Sequence, residues 1–185
     1  MEEPAAKRLV RLLSRNELDV TIKHLAGELD RDYCQRSPVL VGVLKGAFIF
    51  LADLVRCMDT PLRSVEFLAL SSYGAATVSS GRARVVAGLA PQSVEGQDVI
   101  LVEDIVDTGI TTATALRYLW RRHPASLRVC ALLDKPSRRR VPLAIDYLGL
   151  TVSDRFLVGY GLDLDQQYRQ LPAIYSLEDS PPSLR

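Results

Sequence analysis

The sequence predicts an α/β fold in which a parallel sheet carries helices on both faces. Three apolar runs point to it: PVLVGVL (Pro38–Leu44), DVILVEDIVDTG (Asp98–Gly109) and SLRVCALLDK (Ser126–Lys135). Their apolar stretches do not alternate with polar residues, which is the pattern of strands buried on both sides. GAFIFLADLVRCM follows the first run and TTATALRYLWRR the second, each with apolar residues at helical spacing. Strand then helix, repeated, describes a covered parallel sheet. Such sheets bind ligands outside the carboxyl ends of their strands, so LKG, EDIVDTG and LDK are expected at one crevice.

Ahead of the first run, Leu18, Ile22, Leu25, Ala26 and Leu29 recur between charged residues and predict an amphipathic helix over Glu17–Tyr33. Between the first two runs, RSVEFLALSSYGAATVSSGRARVVAGL reads as two strands joined by a polar loop from Ser71 to Gly81. A loop of that length and composition fits a lid over the crevice. After Lys135 the short segments IDYLGLTV, FLVGYGL and IYSL read as a small antiparallel or mixed lobe. Residues 179–185, ending in SPPSLR, read as a frayed tail. There is no internal repeat, and 185 residues with 48% apolar content suit one domain, 1–185.

Charge narrows the partners. With 23 Lys+Arg against 22 Asp+Glu the formal charge is +1. That balance offers no broad field for a nucleic-acid backbone or an anionic membrane, so any anion must be caught locally. Cys34, Cys57 and Cys130 are odd in number and lack a CxxC pair, which argues against a disulfide scaffold or zinc site and fits a cytoplasmic protein. The N-terminus MEEPAAKRLVRLLSRNE has no signal-peptide core, and no run approaches the ~20 apolar residues of a membrane helix.

The chemistry concentrates in VILVEDIVDTGITT, residues 99–112. A strand delivers the adjacent carboxylates Glu103 and Asp104, Asp107 follows, and Thr108-Gly109-Ile110-Thr111 opens a helix. A Thr/Gly loop entering a helix presents free backbone N–H groups and the positive end of the helix dipole, which together suit phosphate. Carboxylates beside such a site would repel phosphate unless they hold hydroxyls or a cation. A sugar diol and Mg²⁺ meet both needs, because carboxylates accept from hydroxyls and are hard oxygen ligands. On the residues alone a plainer alternative remains, in which Glu103 and Asp104 merely end a strand and Asp107 caps the helix.

The order acidic pair, third Asp, Thr-Gly, Thr resembles the phosphoribosyl pyrophosphate motif of type I phosphoribosyltransferases. VGVLKGAFIFLADL, SSYG, LLDKPSRR and DRFLVGYGLD resemble the hypoxanthine-guanine branch, and the resemblance spans about Val39–Ser176. It implies the type I phosphoribosyltransferase fold, a central parallel sheet flanked by helices with a small hood lobe. It also implies purine salvage, in which 5-phosphoribosyl passes from phosphoribosyl pyrophosphate to N9 of hypoxanthine or guanine with Mg²⁺ as cofactor. The products would be IMP or GMP and pyrophosphate. A homodimer or homotetramer is implied as well.

Carried over residue by residue, the resemblance gives Glu103, Asp104, Asp107, Thr108, Gly109, Ile110 and Thr111 to the ribose hydroxyls and 5′-phosphate, with Asp107 as the base that takes the N7 proton. Lys45, Gly46 and Arg169 face pyrophosphate, and a cis non-proline peptide is implied in Leu44-Lys45-Gly46. Lys135 donates to the purine 6-oxo oxygen, Phe156 stacks on the ring, and Leu157 and Asp163 lie at the base. Glu103, Asp104 and Asp163 hold Mg²⁺, while Ser72 and Tyr73 belong to the lid. Physically, Lys135 could instead snorkel to water, Phe156 lie in the core, Asp163 cap a loop and Arg169 be solvated.

His24 and His123 fall outside the crevice segments, and Arg138–Arg140 read as a solvated turn or a subunit contact. Departures from the family pattern are small: Ile110 and Thr112 vary in the phosphate loop, and Ser153 stands where a proline often precedes the acid. Two alternatives accompany this reading. One is a xanthine-preferring phosphoribosyltransferase, the other a non-catalytic regulator on the same fold that senses nucleotide or RNA. Retention of Asp107, Lys135 and Phe156 argues against the regulator.

Overall fold

The computed structural model describes residues 7–72 and 83–179. In chain order the elements are β1 (Lys7–Leu13), α1 (Arg15–Asp32), β2 (Val39–Leu44), α2 (Phe48–Cys57), β3 (Ser64–Ser72), β4 (Ala83–Ala87), β5 (Asp98–Val106), α3 (Ile110–Trp120), β6 (Ser126–Asp134), β7 (Tyr147–Thr151), β8 (Leu157–Val158) and β9 (Ile174–Asp179). A six-stranded sheet has the order β4-β3-β2-β5-β6-β7 and is parallel except for β4 at its edge. β1, β9 and β8 form a separate antiparallel sheet, the hood.

The three apolar runs become adjacent central strands because both of their faces are covered. Ile100 and Val102 of β5 pack with Leu25 of α1 and Leu54 of α2, whereas Val99 and Leu101 pack with Ala115 and Leu119 of α3. Alternate residues of a strand face opposite sides, so this split puts α1 and α2 on one face and α3 on the other. α1 starts two residues earlier than the apolar spacing suggests, at a capping box. The Ser14 hydroxyl accepts from the Glu17 N–H at 3.3 Å, and the Glu17 carboxylate accepts from the Ser14 N–H at 2.8 Å. No described helix is long and apolar enough to cross a membrane.

The crevice opens where the strand order reverses. From β2 the chain moves outward to β3 and β4, then returns on the other side of β2 to β5. The β2–β5 ladder ends at Gly42↔Val102, while β5 stays paired with β6 as far as Val106↔Asp134. Beyond that point β2 and β5 separate, and the residues just past it are Val43–Lys45 on one side and Glu103–Asp107 on the other.

Two expectations are corrected here, and one element was not expected. IDYLGLTV does not join the small lobe: Tyr147–Thr151 extends the main sheet parallel to β6. The hood instead recruits the charged N-terminal segment Lys7–Leu13, paired with β9. Asp179, read as the start of the tail, ends β9 opposite Lys7. β3 and β4 pair antiparallel as expected, but residues 73–82 of the connecting loop, and 180–185 of the tail, lie outside the described residues.

A buried charge braces the hood against the helices. Asp53, on apolar α2, is 6% exposed; it pairs with Arg15 of α1 at 3.0 Å and with Arg56, and accepts from the Tyr160 hydroxyl. Burial alone would raise its carboxyl, but the Tyr160 hydroxyl and the two guanidiniums hold it below the ordinary aspartate value.

Ser14→Ala removes one half of the capping box and is expected to cost about 1 kcal/mol of stability, read as a lower midpoint in urea with an unchanged slope.

Candidate active site

Two of the three strand ends predicted to converge, LKG and EDIVDTG, line one crevice, while LDK is not among its lining residues. A cavity of about 260 Å³ at the β2–β5 separation is lined by Gly46, Glu103, Asp104, Asp107, Thr108, Gly109, Thr111 and Thr112, among others. It adjoins one of about 850 Å³ that shares Gly46, Asp104 and Asp107 and adds Lys45, Leu157, Asp163, Gln166 and Arg169. Another cavity, about 610 Å³ and lined by Trp120, Leu116 and Leu143, lies along α3 and holds none of the crevice carboxylates.

The floor is the acid pair at the end of β5. Glu103 is 3% exposed, and its Oε1 has no hydrogen-bond partner among the described residues. Burial and the neighbouring charge of Asp104 push its carboxyl up to about 8, against a hydrogen bond with the Thr112 side chain. Burial likewise raises Asp104, to about 6. Asp104 packs directly on Gly46: a Cβ at position 46 would lie 1.8 Å from Asp104 Oδ2. The bond between Leu44 and Lys45 is cis, as the resemblance implied.

Asp107 lines both cavities, with Oδ1 buried and without a hydrogen-bond partner among the described residues. Gly109 caps α3 at φ 80, and the N–H of Ile110 donates to Thr108 Oγ1 at 3.4 Å. Ile110 lines the separate cavity along α3 and is not among the residues lining the two crevice cavities. On the opposite wall Arg169 pairs with Asp163 at 2.7 Å and donates to the Gly161 carbonyl at 2.6 Å, so neither Asp163 nor Arg169 is a free surface charge.

The residues expected at the base are placed less uniformly. Leu157 is buried and lines the larger cavity. Lys135 does not snorkel and is not among the residues lining the two crevice cavities. It is 4% exposed, and its ammonium donates to the Arg155 carbonyl at 2.7 Å, beside Phe156. Burial lowers its pKa, opposed by the charge of Asp107. Phe156 is 44% exposed and is therefore not a core residue. Ser72 ends β3, and Tyr73 lies outside the described residues.

Several neighbours escaped the sequence reading. Gln166 Oε1 accepts from Lys45 Nζ at 3.1 Å and from Arg169 at 3.3 Å, bridging the two cations. Arg138 and Arg140 are exposed, as in a solvated turn, but the segment is also tied to the crevice. Arg138 Nε lies 3.5 Å from Asp107, Arg139 pairs with Asp134, and the N–H groups of Arg140 and Val141 donate to the Thr108 carbonyl. This last pair ties the phosphate loop to the segment after Lys135. The run of three arginines beside LLDK was the available signal.

The burial of Glu103 has a stability consequence. Glu103 takes up its proton near pH 8 when folded and near 4.5 when unfolded, so between those values the folded state holds one more proton. Its contribution is fully present below 4.5 and is lost as pH rises toward 8. Glu103→Gln is therefore expected to gain in melting temperature over the unligated wild type as pH rises through that window, as scanning calorimetry would read.

A family model described as a phosphoribosyl transferase domain matches residues 12–165. The hypoxanthine-guanine phosphoribosyltransferase of Aquifex aeolicus is 45% identical over 180 residues, covering 97% of this chain and 100% of that one. That of Bacillus subtilis is 42% identical over 163 residues, covering 88% of this chain and 89% of its own. Among solved structures, a hypoxanthine phosphoribosyltransferase from Staphylococcus aureus is similar with a TM-score of 0.85 at 38% identity, covering 91% of each chain. With the acid pair, the Thr-Gly helix entrance and the Lys45–Arg169 wall in one crevice, these similarities show that the chain belongs to the phosphoribosyltransferase family, in its hypoxanthine-guanine branch.

Proposed function

We propose that the chain transfers the 5-phosphoribosyl group of phosphoribosyl pyrophosphate to N9 of hypoxanthine or guanine, giving IMP or GMP and pyrophosphate. The observation that carries this reading is the crevice itself. Carboxylates suited to a ribose diol, a helix entrance suited to a phosphate and two cations suited to pyrophosphate line adjoining cavities. The activities named for the relatives support it.

In this reading the ribose hydroxyls donate to Glu103 and Asp104, and the 5′-phosphate accepts from the backbone N–H groups at the start of α3. Lys45 and Arg169 hold the pyrophosphate, Arg169 through a planar fork suited to phosphate oxygens. As the bond from C1′ to pyrophosphate breaks, its electron pair leaves with pyrophosphate and positive charge grows on the ribose. The carboxylates of the β5 end stabilise that charge. N9 of the base attacks C1′, and Asp107 accepts the proton from N7. Lys135 would exchange the Arg155 carbonyl for the purine 6-oxo oxygen; an ammonium only donates, so the 6-amino group of adenine offers it nothing.

Among the described residues no three His, Cys, Asp or Glu side chains are arranged to hold a metal, so Glu103, Asp104 and Asp163 do not form a closed cage. The residues instead fit magnesium arriving with the substrate, which uses one or two carboxylates and takes its remaining oxygens from phosphate and water. Asp104 and Asp163 line the same cavity, and Glu103 keeps an acceptor oxygen without a partner among the described residues. When bound there, Mg²⁺ would neutralise charge on the departing pyrophosphate. A cytoplasmic homodimer or homotetramer belongs to the same proposal, and the free thiols of Cys34, Cys57 and Cys130 support a reducing compartment.

Steady-state assays with Mg²⁺ and phosphoribosyl pyrophosphate, offering each base separately, are expected to show turnover of hypoxanthine and guanine and none of adenine. Asp107→Asn is expected to lower kcat about a hundredfold or more with the fold retained. Nucleotide binding without turnover of any base would favour a regulator over an enzyme. Full turnover by Asp107→Asn would remove Asp107 from the mechanism.

A further inference from the structure

Tyr160 sits at φ 52 just after β8, 1% exposed, and its hydroxyl donates to Asp53 across the core. Asp53 is fixed in turn by Arg15 of α1 and Arg56 of α2, and the Arg15 guanidinium lies over the Tyr160 ring. Two elements of the helical layer therefore hold one tyrosine of the hood. The segment beginning at that tyrosine carries the wall of the crevice.

That segment is closed on itself. Tyr160 N–H donates to the Leu171 carbonyl at 2.9 Å, and Gly161 N–H donates to the Arg169 carbonyl at 3.0 Å. Arg169 returns a side-chain bond to the Gly161 carbonyl and pairs with Asp163, and Gln166 joins Arg169 to Lys45. Gly161 also lies against the turn after β2, where a Cβ at 161 would come within 2.1 Å of the Gly46 carbonyl oxygen. The position of residues 160 and 161 thus fixes both sides of the proposed pyrophosphate subsite. Lys135, by contrast, follows β6, and Asp107 belongs to the loop after β5.

We infer that Tyr160, anchored by Asp53 and Arg15, is a positioning residue for the pyrophosphate half of the site. The inference rests on the proposed transfer reaction and assigns within it a role to residues that touch no substrate. Without the anchor, Gly161 is free to withdraw from Gly46, and Arg169 and Lys45 lose their spacing. Lys135, Asp107 and the carboxylates at the end of β5 keep theirs.

The test compares Tyr160→Phe, which keeps the ring, with Asp53→Asn, which keeps an acceptor for the hydroxyl but loses the ion pairs. Ser14→Ala serves as a control that weakens the start of α1 while keeping the Asp53, Arg15 and Tyr160 side chains. Steady-state constants would be measured for phosphoribosyl pyrophosphate and hypoxanthine, and for pyrophosphate and IMP in reverse. Tyr160→Phe is expected to raise KM for phosphoribosyl pyrophosphate and pyrophosphate about fivefold to tenfold, with kcat and the other two KM values unchanged. Asp53→Asn should raise the same pair by less, and Ser14→Ala neither. Unchanged KM for phosphoribosyl pyrophosphate in either folded anchor variant would overturn the inference. A parallel rise for all four substrates, or the same shift in Ser14→Ala, would reduce the anchor to general stabilisation. Failure of the wild type to use phosphoribosyl pyrophosphate at all would reject the reaction itself, before any variant is compared.

Discussion

The crevice depends on the contact between residue 46 and Asp104. β2 and β5 part after Gly42 and Val102, and the turn leaving β2 folds back onto the carboxylate that β5 delivers. No side chain fits between them, since a Cβ on residue 46 would displace Asp104. Because the turn lies so close, the acid pair is shielded from water, Lys45 is brought to the edge of the same cavity, and Gly161 can rest on the Gly46 carbonyl. The β2 turn is thus packed between the catalytic floor and the hood wall.

Shielding has an electrostatic cost that suits the chemistry. Glu103 and Asp104 are both pushed toward their protonated forms by burial, and Glu103 further by its neighbour's charge. A carboxyl pair in that condition is poorly satisfied alone and well satisfied by hydroxyl donors or a cation. Affinity for a polyhydroxy, cation-bearing ligand and instability of the unligated crevice are two aspects of one arrangement. The Asp53–Arg15–Arg56 cluster follows the opposite logic. It is a buried carboxylate with full pairing, held below its ordinary value, and it stabilises the fold instead of waiting for a ligand.

The sequence exposed the parts of this design that are local. β2, β5 and β6 announce themselves as unbroken apolar runs, and the residues that end β2 and β5 line the crevice. Long-range pairing was hidden. β1 reads as a charged segment because it becomes a strand only opposite β9, at the far end of the chain. β7 reads as part of the small lobe, although it pairs with β6, because short strands interrupted by glycine carry no sign of their partner. Gln166 lies among polar loop residues, and its bridging role exists only once Lys45 is folded beside it. Two signals were legible and went unread: the Ser14…Glu17 capping box, and a lone aspartate inside GAFIFLADLVRCM, where a charge on an apolar helix face implies a buried partner.

The hood and the helical layer meet the substrate through the same narrow turn, so the geometry at residue 46 is the most direct point to measure. Isothermal titration of Mg²⁺-phosphoribosyl pyrophosphate into Gly46→Ala, with the far-ultraviolet dichroism of wild type and variant compared, isolates it. A native spectrum with affinity reduced about a hundredfold or more, as expected when a positioned charged contact and its neighbours are displaced together, is the predicted result. A native spectrum with wild-type affinity would show that Asp104 does not need the bare backbone of residue 46, and the crevice would have to be explained another way.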